Sequence, residues 1–212
     1  MVHRSDPRFL VLHRLRVAGV ADPGTVAARS GIDDVTVLRI LDELASSRLV
    51  EHRASGPLTG WSLTPAGRAE HARLARRELD VSGARPLVAA AYRRFRELNP
   101  AVLELASRWQ VRPIAGRLVR NDHTDARYDA AVLEELVDVH RRVVPLCDEL
   151  AGALRRYRPY RAELDAALER ALAGDGDHVA KPGVRSYHTV WFELHEDLLV
   201  TLGLDRTAEA AS

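Results

Sequence analysis

The stretch Gly31-Ile32-Asp33-Asp34-Val35-Thr36-Val37-Leu38-Arg39-Ile40-Leu41-Asp42-Glu43-Leu44 carries the clearest local pattern in the chain. Val37, Ile40, Leu41 and Leu44 recur at helical spacing and form one apolar stripe, while Thr36, Arg39 and Glu43 fall on the opposite face. Asp33 or Asp34 can cap this helix. Upstream, Asp22-Pro23 pairs a cap with a proline at the first helical position, and Val26 and Ala27 give a small apolar face before Ser30-Gly31 ends the run. Asp6-Pro7 repeats the signal, followed by Phe9, Leu10, Leu12 and Leu15 until Gly19. Downstream, Leu49–Arg53 and Gly60–Thr64 read as two strands around Ala54–Thr59, a loop rich in turn residues. Pro65 opens a fourth helix through Leu79.

A short helix, a glycine turn and a longer helix with an apolar inner face is the arrangement that presents the second helix to a DNA major groove. Val35, Thr36 and Arg39 are the candidates for base edges: Arg39 can bond guanine through two N–H groups, and Thr36 can meet a thymine methyl or a phosphate. Asp33 and Asp34 are expected to complement the helix dipole. Arg48, His52 and Arg53, with Ser55 and Thr59 in the loop, are candidates for phosphate or minor-groove contact. Gly31-Ile32, Thr36–Leu44, Leu49-Val50 and Leu63–Arg68 together resemble the winged-helix core of MarR-type transcriptional regulators. The resemblance implies a DNA-reading winged helix-turn-helix over residues 1–79, with a two-stranded wing and a linking helix. Two departures stand: the wing is short and lacks the Asp-x-Arg tip frequent in that family, and few residues precede the first helix. The family's dimer geometry is therefore not carried over.

Composition agrees with a protein that packs cores. The chain has 212 residues, 46% of them hydrophobic, and a formal net charge of +1. Residues 1–79 hold 12 Arg against 9 acidic residues, leaving 19 basic and 21 acidic residues beyond them, a mild asymmetry that suits a phosphate-facing first domain. The single cysteine, Cys147, excludes an intrachain disulfide framework. No long apolar run is present, and the first residues lack the apolar core of a secretory signal, so a cytoplasmic location away from membranes is expected.

Residues 80–212 are expected to form an all-α bundle for effector binding, dimerisation or both, making the whole chain mainly α. Helices are expected over Pro86–Leu98, Pro100–Val111 after a capping Asn99, Asp125–Tyr157 with a break or bend at Pro145, Pro159–Ala173 and Val184–Leu202, with no β structure. On the last helix Tyr187, His188, Trp191 and His195 join an apolar stripe, and His140 joins another on the long helix. These five are candidates for a small-molecule pocket with apolar walls and a few polar groups. Each histidine is read equally well as a packed core residue. Asn121 and His123 are further ligand candidates at a pocket rim, against a reading of Asn121–Asp125 as a capping loop. Gly174–His178 reads as a turn, and Cys147 as a buried core thiol. Ser186–Leu199 with Asn121-Asp122-His123 resembles a helical region of actinobacterial winged-helix regulators.

The expectation is a ligand-responsive regulator: a homodimer on a pseudo-palindromic double-stranded operator, with an unidentified small-molecule effector, no cofactor, no metal and no catalytic residues. Coupling is expected through the Pro65–Leu79 helix. Two alternatives are a helical domain with a metal site of the kind found in GntR-type effector domains, or enzymatic activity, and a winged helix that binds protein. His188 and His195 stand about 10.5 Å apart along a helix, which disfavours one shared ion. Phosphate-loop, Gly-x-Ser-x-Gly and His-Glu-x-x-His motifs are absent from the sequence.

Overall fold

The computed structural model describes residues 2–54, 59–114 and 116–204. Three helices come first: α1 (Pro7–Ala18), α2 (Pro23–Ser30) and α3 (Asp34–Ser46). Each starts where a side chain answers unpaired helix amides: Asp6 accepts from Arg8 and Phe9, Asp22 from Thr25, and Asp33 from Thr36. Gly31 ends α2 in the left-handed region (φ 68°, ψ 27°), a conformation open to a residue without Cβ.

Two strands expected from the sequence are present as β2 (Val50–Arg53) and β3 (Gly60–Leu63), paired antiparallel with Val50 opposite Leu63 and Arg53 opposite Gly60. A third, β1 (Val20–Ala21), pairs with the other edge of β3, giving the order β1-β3-β2. It is two residues long, too short for an alternating pattern to reveal. Val11, Leu12 and Leu15 of α1, Val26 of α2, the α3 stripe, and Val50 and Leu63 form one buried cluster. Helix α4 (Pro65–Ser82) begins on the Thr64 cap, and the Thr64 hydroxyl also donates to the Arg48 carbonyl at 2.8 Å.

The later chain departs from expectation in several places. Pro86–Leu98 and Pro100–Val111 are one helix, α5 (Arg85–Gln110), with Pro100 inside it. The reason is burial: Ala91, Phe95, Leu98, Val102, Leu105 and Trp109 keep helical spacing across the proline, so packing outweighs the lost backbone bond. Asn99 does not start a helix; its Oδ1 accepts a hydrogen bond from Trp191 Nε1 at 2.9 Å. The expectation of no β structure is also corrected. Val111–Ile114 (β4) and Arg117–Arg120 (β5) form an antiparallel hairpin around Gly116 (φ 78°), where β-branched residues flank a turn glycine. Helix α6 (Ala126–Ala153) continues unbroken through Pro145, and a 3-10 turn at Arg155–Tyr157 leads to α7 (Arg158–Leu172), the short α8 (Asp177–Ala180) where only a turn was expected, and α9 (Tyr187–Leu202). Among the described residues no helix is long and apolar enough to cross a membrane.

The chain divides into two compact units. The first gathers residues up to Ala89 with Ala153–Arg156 and the chain from Glu196; the second holds Ala90–Gly152 and Tyr157–His195. The sequence reading places its boundary at Leu79 and gives the first region no later segment.

Two glycines on helices make opposite demands. A Cβ at Gly67 in α4 would collide with the Leu49 carbonyl oxygen, whereas one at Gly152 in α6 would meet nothing within 4 Å. Gly67→Ala is expected to cost at least about 2 kcal/mol, and Gly152→Ala to add about 0.5–1 kcal/mol, in urea unfolding. Equal effects of the two substitutions would contradict this packing.

Candidate functional site

Helix α3 turns its stripe inward and leaves a bulky outer face. Val37, Ile40, Leu41 and Leu44 are buried, while Val35 is 77% and Leu38 49% exposed. Thr36 is half-buried, and its amide bonds Asp33 Oδ1 at 2.9 Å. The Thr36 amide and hydroxyl hold the Asp33 carboxyl below its ordinary value. Arg39 is exposed and pairs with Glu43 one turn on. An exposed pair at this spacing contributes only about 0.3–0.5 kcal/mol, so another anion can replace Glu43 at little cost. Leu38 is a member of this face that polar-residue reasoning missed.

On the hairpin, Arg48 is exposed with φ 57°, and His52 packs edge-on against its cross-strand partner Trp61 at 5.3 Å between ring centres. Arg53 is exposed and lies 3.7 Å from the Glu51 carboxylate. Thr59 is exposed; Ser55 lies outside the described residues. The structure thus brings Val35 and Arg39 onto one outer helix face and His52 and Arg53 onto β2.

In the second unit the aromatic and imidazole candidates are tightly engaged. Trp191 stacks on Phe95 at 4.3 Å and gives its N–H to Asn99, and His195 lies 5.1 Å from the Phe95 ring. The Tyr187 hydroxyl is 3.4 Å from His140 Nδ1, and His140 Nε2 is 3.0 Å from Asp165. Burial lowers the pKa of His140, partly opposed by Asp165, lowers that of His188, and raises that of Tyr187. Burial also pushes the Cys147 thiol up to about 12, keeping it protonated.

The open space lies elsewhere. A cleft of about 830 Å³ is lined by Asn121 and His123 of the expected set, but not by His140, Tyr187, His188, Trp191 or His195. Helical periodicity marks what is buried, and burial alone does not open a pocket. Buried Asn121 fixes the cleft's polar end: its Oδ1 accepts from the His123 amide at 3.2 Å, and its Nδ2 gives to Trp109 O at 3.2 Å and Asp129 Oδ1 at 2.8 Å. His123 Nδ1 meets Asp129 Oδ2 at 2.9 Å, and its φ of 59° is unusual for a non-glycine residue. Trp109 packs on His123 and donates to Gly176 O, beside the Gly174–His178 stretch that turns into α8. No three His, Cys, Asp or Glu side chains converge to hold a metal ion among the described residues.

A third constellation, missed by sequence reasoning, is sealed inside the first unit. His71 Nε2 meets His13 Nδ1 at 2.9 Å, His13 Nε2 meets Asp197 Oδ1 at 2.9 Å, and Arg156 donates to Asp197 at 2.5 Å. Arg156 also donates to Glu78 at 3.0 Å and to the Thr201 hydroxyl at 2.8 Å. His13 Nε2 thus lies between the acceptor Asp197 at 2.9 Å and the donor Arg156 Nη1 at 3.0 Å. Burial alone would raise the Asp197 carboxyl, but His13, Arg156 and Arg14 hold it well below its ordinary value. Burial pulls His13 down despite Asp197, and pulls His71 to about 2 with added repulsion from His13, Arg16 and Arg156. Comparison of the chain with family models, curated proteins and solved structures gives no match.

Both histidines are depressed from an ordinary 6.5, so the unfolded chain binds protons that the folded chain refuses. Their contribution is complete above pH 6.5 and is lost as pH falls below it. Urea unfolding between about pH 7.5 and about pH 5 should show stability dropping with a slope approaching about 1.4 kcal/mol per pH unit for each histidine. His71→Gln should remove roughly half of that slope. A flat profile over this range contradicts the network.

Proposed function

We propose that this chain is a DNA-binding transcriptional regulator, with a winged helix-turn-helix in its first unit and a helical second unit that senses a small molecule. The observation that carries this reading is the α2–Gly31–α3 arrangement: α3 is clamped by its apolar stripe while Val35, Leu38 and Arg39 face solvent. Bulky apolar groups beside a guanidinium suit a major groove, where thymine methyls and guanine edges alternate with phosphates. Exposed Arg48 and Arg53 add cationic reach on and beside β2, and exposed His52 a hydrogen-bonding ring, as a wing requires. The mild basic excess of residues 1–79 points the same way.

In this reading Val35, Leu38 and Arg39 read bases, Thr36 supports the helix start through Asp33, and the hairpin cations meet phosphates. Two copies on a pseudo-palindromic operator would place their α3 helices about 34 Å apart, one turn of DNA. The second unit acts by binding its ligand more tightly in one of two states of that dimer.

The test is fluorescence anisotropy with a duplex from the chain's own upstream region and a scrambled duplex of equal length. At near-physiological salt the upstream duplex is expected to bind more tightly. Arg39→Ala should cost about 1–3 kcal/mol and erase most of the preference, while Arg53→Ala should weaken both duplexes alike and reduce the salt slope by about 1. Equal, weak binding of both duplexes, unchanged by either substitution, contradicts the proposal.

A further inference from the structure

We infer that the Trp109–His123 cleft of the second unit binds an amphiphilic organic anion: a carboxylate carried on an elongated apolar body. Its volume of about 830 Å³ falls within the range of small-molecule pockets. One wall is Ala126, Ala130 and Leu133, at successive helical positions on α6, with Ala171 and Ala180 also lining the space. Four of these five are alanines, so the side chains that would fill the cleft are missing. A second groove of about 500 Å³ along α6 shares Ala130 and Leu133, and Val137 and Leu172 line it together with the charged Glu134, Asp138 and Arg141. A short polar ligand would leave the alanine wall uncovered; an alkyl chain covers it.

The polar end selects charge. Two of the three acids lining the cleft already have partners: Asp129 binds Asn121 and His123, and Asp177 pairs with Lys181 at 2.5 Å. One donor remains unanswered among the described residues, the Arg120 guanidinium; His123 gives its Nδ1–H to Asp129, which leaves Nε2 as an acceptor in the neutral ring. A guanidinium matches a carboxylate through paired N–H groups. An amine would meet two carboxylates already engaged and an opposing arginine. Buried Asn121 holds His123 in its left-handed conformation, so the imidazole is positioned before any ligand arrives.

That this ligand is the effector rests on the regulatory reading above; the binding itself does not. Isothermal titration of the full chain, without DNA, with sodium octanoate tests it, using octylamine and 1-octanol as matched probes. Octanoate is expected to bind once per chain with a Kd on the order of 0.1 mM, and the amine and alcohol at least about tenfold more weakly. Arg120→Glu should weaken octanoate at least about tenfold, and Ala130→Trp should block it, with thermal unfolding showing that both variants fold. Arg120 is exposed and without a partner among the described residues, so its substitution keeps the test decisive if Ala130→Trp fails to fold. Absence of saturation by about 10 mM octanoate, equal affinity for octylamine, or wild-type affinity in Arg120→Glu overturns the assignment. Octanoate binding with these variant effects supports the site even where anisotropy finds no DNA preference, a result that removes the regulatory reading alone.

Discussion

The buried Arg156 guanidinium is the constraint on which the first unit depends. It bonds Glu78 of α4, Asp197 and Thr201 of α9, and lies 3.0 Å from His13 of α1. A charge taken out of water carries a desolvation cost of several kcal/mol unless its partners are in place, so these segments are required together or not at all. Phe9 adds an aromatic face 5.9 Å from the guanidinium carbon and stacks on the His71 ring. Residues 196–204 are therefore structural in the first unit, as are the residues around Arg155, whose amide bonds the His3 carbonyl.

Function in this account is divided between rigid and open places. The scaffold of α1, α3 and the three-stranded sheet is closed by apolar packing, and what it leaves outside is the outer face of α3 with the hairpin cations. In the second unit the densest aromatic region is likewise closed, and the usable space opens where α5 ends and α6 begins. Both candidate sites thus lie beside packed, hydrogen-bonded structure. Precise placement on a rigid support is what binding without a large ordering cost requires.

The first four helices and the hairpin were legible because their signals are local. Asp6-Pro7, Asp22-Pro23, Asp33 and Thr64-Pro65 act within a few residues, and the α3 stripe repeats within three turns. Pro100 misled because a proline is a local signal and the burial that overrides it is not. The β4–β5 hairpin was missed because Val111 continues the preceding helical pattern and only Gly116 marks the turn. Of the cleft, Asn121 and His123 were legible as a polar cluster, but Arg120, Trp109 and Asp129 gain meaning only once the chain folds back. The ionic network was the least legible. Its one sequence trace is Asp197, a carboxylate three residues from buried Leu194 and four from Thr201, on a stripe where an apolar side chain belongs.

Arg156 and Asp197 are coupled, not merely adjacent, and a double-mutant cycle reads that coupling. Unfolding free energies of Arg156→Met, Asp197→Leu and the double substitution are compared with the unsubstituted chain. Each single change removes one partner of a buried ion pair and is predicted to cost about 3–5 kcal/mol, while the double change costs clearly less than their sum. Additive costs, or single substitutions within about 0.5 kcal/mol of the parent, would contradict the account.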